Sequence, residues 1–149
     1  MPKTWSQFVE GKQVRLDAQP GPRQDPARFG REAGWITRYR GPVVAESRCD
    51  VFASVGGAEK DLAAYRDQLK TGIPGSGATA KLLKGPSLGD GSVAGELAQG
   101  PSIFVTVAWR RANATASVTV EGRASTTRLA DVVALARKQD RRLGRAARN

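Results

Sequence analysis

Histidine is absent from all 149 residues. That removes the commonest general base, the usual serine and cysteine triads, and most zinc sites. Cysteine occurs once, at position 49, so neither an internal disulfide nor a thiolate zinc cluster can form, and the redox compartment is left open. No run of residues approaches the roughly 18 apolar positions that span a bilayer, and the opening "MPKTWSQFVEGKQ" has no apolar core of a leader. The chain as it stands is expected to be soluble, without a transmembrane segment. A secreted protein whose leader had been trimmed would read the same way.

Acidic residues are the scarcer charge, 14 against 24 Lys and Arg, a formal +10. Such an excess attracts polyanions at low salt without naming them. It is uneven: from Arg123 to Asn149 eight basic residues face only Asp131 and Asp140. The length and the 40% hydrophobic content suit one domain spanning 1–149 with a single core.

Along the chain, residues 1–34 are rich in loop formers. Thr4 with Gln7 predicts a short capped helix that Gly11 ends, and Asp25-Pro26 opens a second one running to Ala33. "WITRYR" alternates as a strand. In the next strand, Val43, Ala45, Ser47, Cys49, Val51 and Ala53 form an inner face, while Glu46, Arg48 and Asp50 read as facing solvent. Ala58, Leu62, Tyr65 and Leu69 recur at helical spacing, with Glu59 and Asp61 in the expected first turn and Gly72 as the stop. Residues 73–91 read as a long loop, with a short element at "TAKLLK". A short strand at "SVAGEL" follows, and then a hairpin in which Ile103, Val105, Val107 and Trp109 lie opposite Phe104, Thr106 and Arg110. The hairpin turns at Arg111-Ala112-Asn113. A basic C-terminal helix over 127–149 presents Leu129, Val132, Val133, Ala136 and Leu143 on one stripe, with Thr127 as its cap. The order β-β-α-loop-β-β-β-α predicts an α+β fold, an antiparallel sheet with both amphipathic helices packed on one face.

Several stretches taken together, "GWITRYR", "AESRCDVFASVGGAEKDLAAYR", "LGDGSVA", "VTVAWRRANATASVTVEG" and "LADVVALARKQDRRL", resemble a poorly characterised family of secreted or lipid-anchored envelope domains common in actinobacteria. The likeness runs from about Gly34 to Leu143. It implies an extracellular or cell-envelope location and a small α+β domain; the shared motifs are structural, so it implies no reaction.

Nothing in the residues themselves assembles a catalytic centre. Glu46 and Asp50 share a strand face roughly 13 Å apart, too far for a tight carboxylate pair. "GIPGSGATAK" lacks the Lys-Ser/Thr ending of a phosphate loop. Cys49 sits among apolar neighbours with no basic activator on its own face, as a buried inert thiol would. The binding candidates are Phe104 and Arg110, on the more polar side of the hairpin, and a cationic ridge of Lys138, Arg141, Arg142 and Arg145 continued by Arg148. The expectation is a non-enzymatic envelope or secreted binding domain, without metal or cofactor, whose partner is a protein or small molecule. The alternative is a polyanion-binding protein using the C-terminal helix, nucleic acid or an anionic polymer being the partner.

Overall fold

A computed structural model describes residues 6–13 and 29–146. They form β1 (Ser6–Gln13), β2 (Arg31–Arg40), β3 (Val44–Phe52), α1 (Val55–Thr71), β4 (Thr79–Leu83), β5 (Gly91–Gln99), β6 (Ser102–Arg111), β7 (Ala114–Gly122) and α2 (Leu129–Ala146). All seven strands join one antiparallel sheet in the order β1-β2-β3-β7-β6-β5-β4. The class is α+β.

Local chemistry explains most of the boundaries. Ser54 Oγ accepts from Gly57 N–H at 3.1 Å and opens α1, one turn earlier than the apolar period begins. Gly72, at φ 79°, closes it by donating its N–H to the Gln68 carbonyl. The β6–β7 hairpin pairs Arg111 with Ala114 across a two-residue loop, and Ala112, at φ 52°, is the only non-glycine residue with positive φ among the described residues.

The helices lie on opposite faces of the sheet, which corrects the expectation that they share one. Val105, Val107, Trp109, Ala116, Val118 and Val120 pack with Val132 and Ala136 of α2. Ala108, the chain neighbour of Val107 and Trp109, and its cross-strand partner Val93 pack with Tyr65, Leu69 and Leu62 of α1. Side chains alternate along a strand, so neighbours in sequence meet different helices. The cause is visible in β6, where every residue from Val105 to Trp109 is buried. A strand buried on both sides needs a cover on each, and one helix cannot supply both.

The other differences are local. Ser6–Gln13 is a strand on β2, not the predicted capped helix: Gly11 breaks helical continuity while β2 offers a free edge of backbone donors and acceptors. Arg31–Ala33 likewise belong to β2; the rest of that predicted helix, before Phe29, lies outside the described residues. "TAKLL" is β4, a full edge strand. Thr127 is buried, but its hydroxyl has no hydrogen-bond partner, so it does not cap α2, which begins at Leu129.

Candidate functional site

On the α1 side, the residues read as solvent-facing are mostly sealed. Asp50 is 1% exposed and receives the Nε–H groups of Arg31 at 2.5 Å and Arg48 at 2.6 Å. Gly34 makes room for this pair, because a Cβ there would fall 1.9 Å from the Arg31 guanidinium. The register sets Asp50 beside Thr115 and Arg48 beside Ser117. Thr115 Oγ1 donates to Asp61 of α1 at 2.5 Å, and Tyr65 Oη shares a 3.0 Å hydrogen bond with Ser117 Oγ. Asp61 is wholly buried. Buried charge is tolerated only when paired and hydrogen-bonded, and these groups fasten α1 and β2 to the sheet.

Beyond α1 the same face opens into a concavity lined by Arg38, Arg40, Val44, Glu46, Phe104, Thr119 and Glu121, about 390 Å³ in volume. Phe104 is half-buried there. Arg38 and Glu46 hold each other at 2.7 Å across its floor. Arg110 is elsewhere on this face, 14% exposed, within 3.4 Å of Asp90 and 3.7 Å of Glu59, and donating to the Ala112 carbonyl.

The α2 side has a second opening. α2 packs on β6 and β7, and β2 and β3 extend beyond it. The register aligns Tyr39 with Ala45 and Thr37 with Ser47, and these in turn with Val120 and Val118. The result is a trough of about 150 Å³. Its floor is Ala45, Ser47 and Val118, with Glu46 also lining it; one wall is Tyr39, and the other is Leu135, Lys138, Gln139 and Arg142 of α2. Those four helix residues fall at i, i+3, i+4 and i+7, a second stripe beside the core stripe. Charge singles out Lys138 and Arg142 in the sequence but misses Leu135 and Gln139, and this spacing is the signal that places those two beside the cations. Gln139 donates to the Arg48 carbonyl at 3.2 Å, while its own amide oxygen is buried without a partner.

The acidic residues of α2 are committed inside the protein. Asp140 receives both donors of Arg111, at 3.0 and 2.8 Å, and Asp131 pairs with Arg128. Lys138, Arg141, Arg142 and Arg145 are exposed and form no ion pair among the described residues. The structure therefore splits the predicted site residues into three groups. Phe104 lines the concavity on the α1 side, Arg110 bridges loops on that same face, and Lys138 and Arg142 line the trough on the other. Arg141 and Arg145 point from the exposed side of α2, and Arg148 is outside the described residues. Cys49 pairs with Trp35 and Ala116 on the trough's face of the sheet, one row beyond Ser47. Burial, and then the Asp50 charge, push its pKa from the ordinary 9.0 to about 11, so at neutral pH it is a thiol. Among the described residues no cluster of His, Cys, Asp and Glu is placed to hold a metal, and no helix is long and apolar enough to cross a membrane.

No protein-family model matches the chain, and no curated protein sequence is similar to it. Its fold is similar to the extracellular domain of PknH from Mycobacterium tuberculosis, with a TM-score of 0.64 at 12% identity, covering 89% of this chain and 82% of that one.

Proposed function

We propose that this chain is a non-catalytic binding or interaction module of the bacterial cell envelope or exterior. The observation that carries the reading is the likeness in fold to an extracellular domain over 89% of the chain. Two features of the site support it. Three groups that could do acid-base work, Asp50, Asp61 and Tyr65, are buried on the α1 side and occupied by Arg31 and Arg48, by Thr115 and by Ser117 respectively. Each face of the sheet, by contrast, has a concavity that is open. The test is location: the natural chromosomal copy, carrying a small epitope tag, should be labelled in intact cells by a biotinylating reagent that does not cross the membrane. Protection of the whole population until lysis would overturn the reading.

A second reading, polyanion binding, is favoured by the exposed cations of α2 that have no carboxylate partner among the described residues. Duplex DNA affinity should then fall steeply with salt, and replacing Lys138, Arg142 and Arg145 by Ala should lower the slope of log K against log salt by about 2 to 3. Submicromolar binding at physiological salt, lost in that triple variant, would select it over the first.

A further inference from the structure

We propose that the trough between α2 and β2–β3 is a binding site for a small amphiphilic anion: one ring or short acyl chain on the floor, and a carboxylate or phosphate at Lys138 and Arg142. The proposal rests on reading the chain as a binding module and names the ligand class of one of its openings.

Size comes first. A volume of about 150 Å³ matches an apolar cavity able to take a benzene-sized group, and is too small for a folded partner's helix or for a lipid with two chains. Chemistry comes next. Ala45 and Val118 on the floor, Leu135 on the helix and the Tyr39 ring on β2 give apolar contact along the length. Dispersion and burial favour an uncharged body there. At the rim, Lys138 and Arg142 stand four residues apart on one helix face, exposed, and neither forms an ion pair among the described residues; Glu46, which also lines the trough, is held by Arg38. Two unpaired cations above an apolar floor fit one anionic group joined to an apolar body, and a bare anion or a neutral oil would meet only half of the site.

Gln139 adds an independent mark. It lines the trough with its amide oxygen buried and unpartnered. A buried acceptor left unsatisfied is costly, and a water carried in with the occupant's anionic group would satisfy it. The concavity around Phe104 lacks this combination, because Arg38 there is already held by Glu46 and the rim also carries Glu121.

Isothermal titration of the intact chain with 3-phenylpropionate, its neutral analogue 3-phenylpropan-1-ol, and inorganic phosphate tests the assignment. The carboxylate should bind in the submillimolar range, at least about 10-fold tighter than the alcohol, as charge-assisted hydrogen bonds imply, and phosphate alone more weakly still. Lys138→Gln with Arg142→Gln, both at exposed positions, should bring the carboxylate to the level of the alcohol. Ser47→Leu, which fills the floor, should abolish both. Equal binding of acid and alcohol to the unaltered chain would overturn the role of the cations. Phosphate binding as tightly as the carboxylate would reduce the site to a surface charge patch and overturn the proposal, as would no binding of any probe. The last result leaves the envelope reading standing, since that is decided by surface labelling.

Discussion

The two faces of the sheet hold their helices by different physics. α2 sits on a dry floor of aliphatic side chains around Trp109, and Val107, Trp109, Val132 and Ala136 are all fully buried. α1 sits on a floor in which Thr115, Ser117 and Asp50 replace the valines, and it is tied down by Asp61 and Tyr65. Both faces come from the same strands, whose alternate residues point to opposite sides. A non-directional contact tolerates small shifts of the helix, whereas a set of hydrogen bonds between named atoms does not. On this view the α1 side is the register-fixing half of the molecule, and the α2 side is the half that can leave a trough beside its helix.

The largest effects should come from breaking either face at its centre. Trp109→Ala removes a fully buried indole and should cost about 3–5 kcal/mol. Asp50→Ala strands the buried Arg31 guanidinium and should cost about 3–5 kcal/mol as well. The two should differ in rescue. Replacing the three charges together, Arg31→Met and Arg48→Met with Asp50→Leu, restores apolar packing and should recover much of the loss, because ion pairs taken out of water return little net stability. Urea denaturation of the single and triple variants measures this. If the triple variant is no more stable than Asp50→Ala, the α1 face depends on the charges themselves and the comparison fails.

The next effect concerns the border of the α2 face. With its pKa at about 11, the Cys49 thiolate population of the folded chain at neutral pH is about 100-fold below that of an ordinary thiol at 9.0. Native protein should react with a thiol reagent about 100-fold more slowly than unfolded protein. The sign for stability follows from the same shift: the folded state holds the proton longer, so the contribution is intact below pH 9 and is lost as pH rises from 9 to about 11. Rapid native labelling at neutral pH would show that water reaches the row of Trp35 and Cys49, and that the trough extends past Ser47.

The unequal legibility of the two faces has the same origin. Valines at alternate positions name a core face whatever covers it, so the hairpin stripe and the stripe of α2 could be read directly from residues 103–143. Asp50, Thr115 and Ser117 carry the composition of a wetted face. They are buried only because Arg31, almost 20 residues upstream, and Asp61 and Tyr65 on α1 arrive as partners. A single strand's periodicity contains no record of partners so distant in sequence, and for that reason Asp50 read as exposed and both helices were assigned to one side. The trough was partly legible: Lys138 and Arg142 stood out by charge, but Tyr39, Ser47 and Gln139 join them only through the register of β2 on β3 and the position of α2.

A smaller effect isolates one directional contact on the α1 face. Tyr65→Phe keeps the ring but removes the hydroxyl that meets Ser117, leaving a buried serine short of a partner. The cost should be about 1 kcal/mol, read as a lower urea midpoint at unchanged slope. A loss within error of zero would mean that the Tyr65 hydroxyl does not help to hold α1, leaving the Thr115–Asp61 hydrogen bond as the directional contact on that face.

The smallest effect tests whether the two faces share a common frame. Ala112 occupies the first central position of the β6–β7 turn at φ 52°, a region where a Cβ costs about 1–2 kcal/mol, and Asn113 after it has no positive φ. One positive-φ residue at that position is the pattern of a type II′ turn, which favours glycine there. Ala112→Gly relieves the clash, but it also frees the unfolded chain, which offsets part of the gain. The net should be a stabilisation of about 0.5–1 kcal/mol, or a rise in Tm of roughly 1–4 °C for a chain of this size. The turn lies at the end of the two strands that carry both floors and touches neither helix's centre, so the gain should add unchanged to Tyr65→Phe on one face and to Val132→Ala on the other. Additivity on one side only would show that straightening the hairpin repositions one helix, and would identify which face depends on the exact path of β6 and β7.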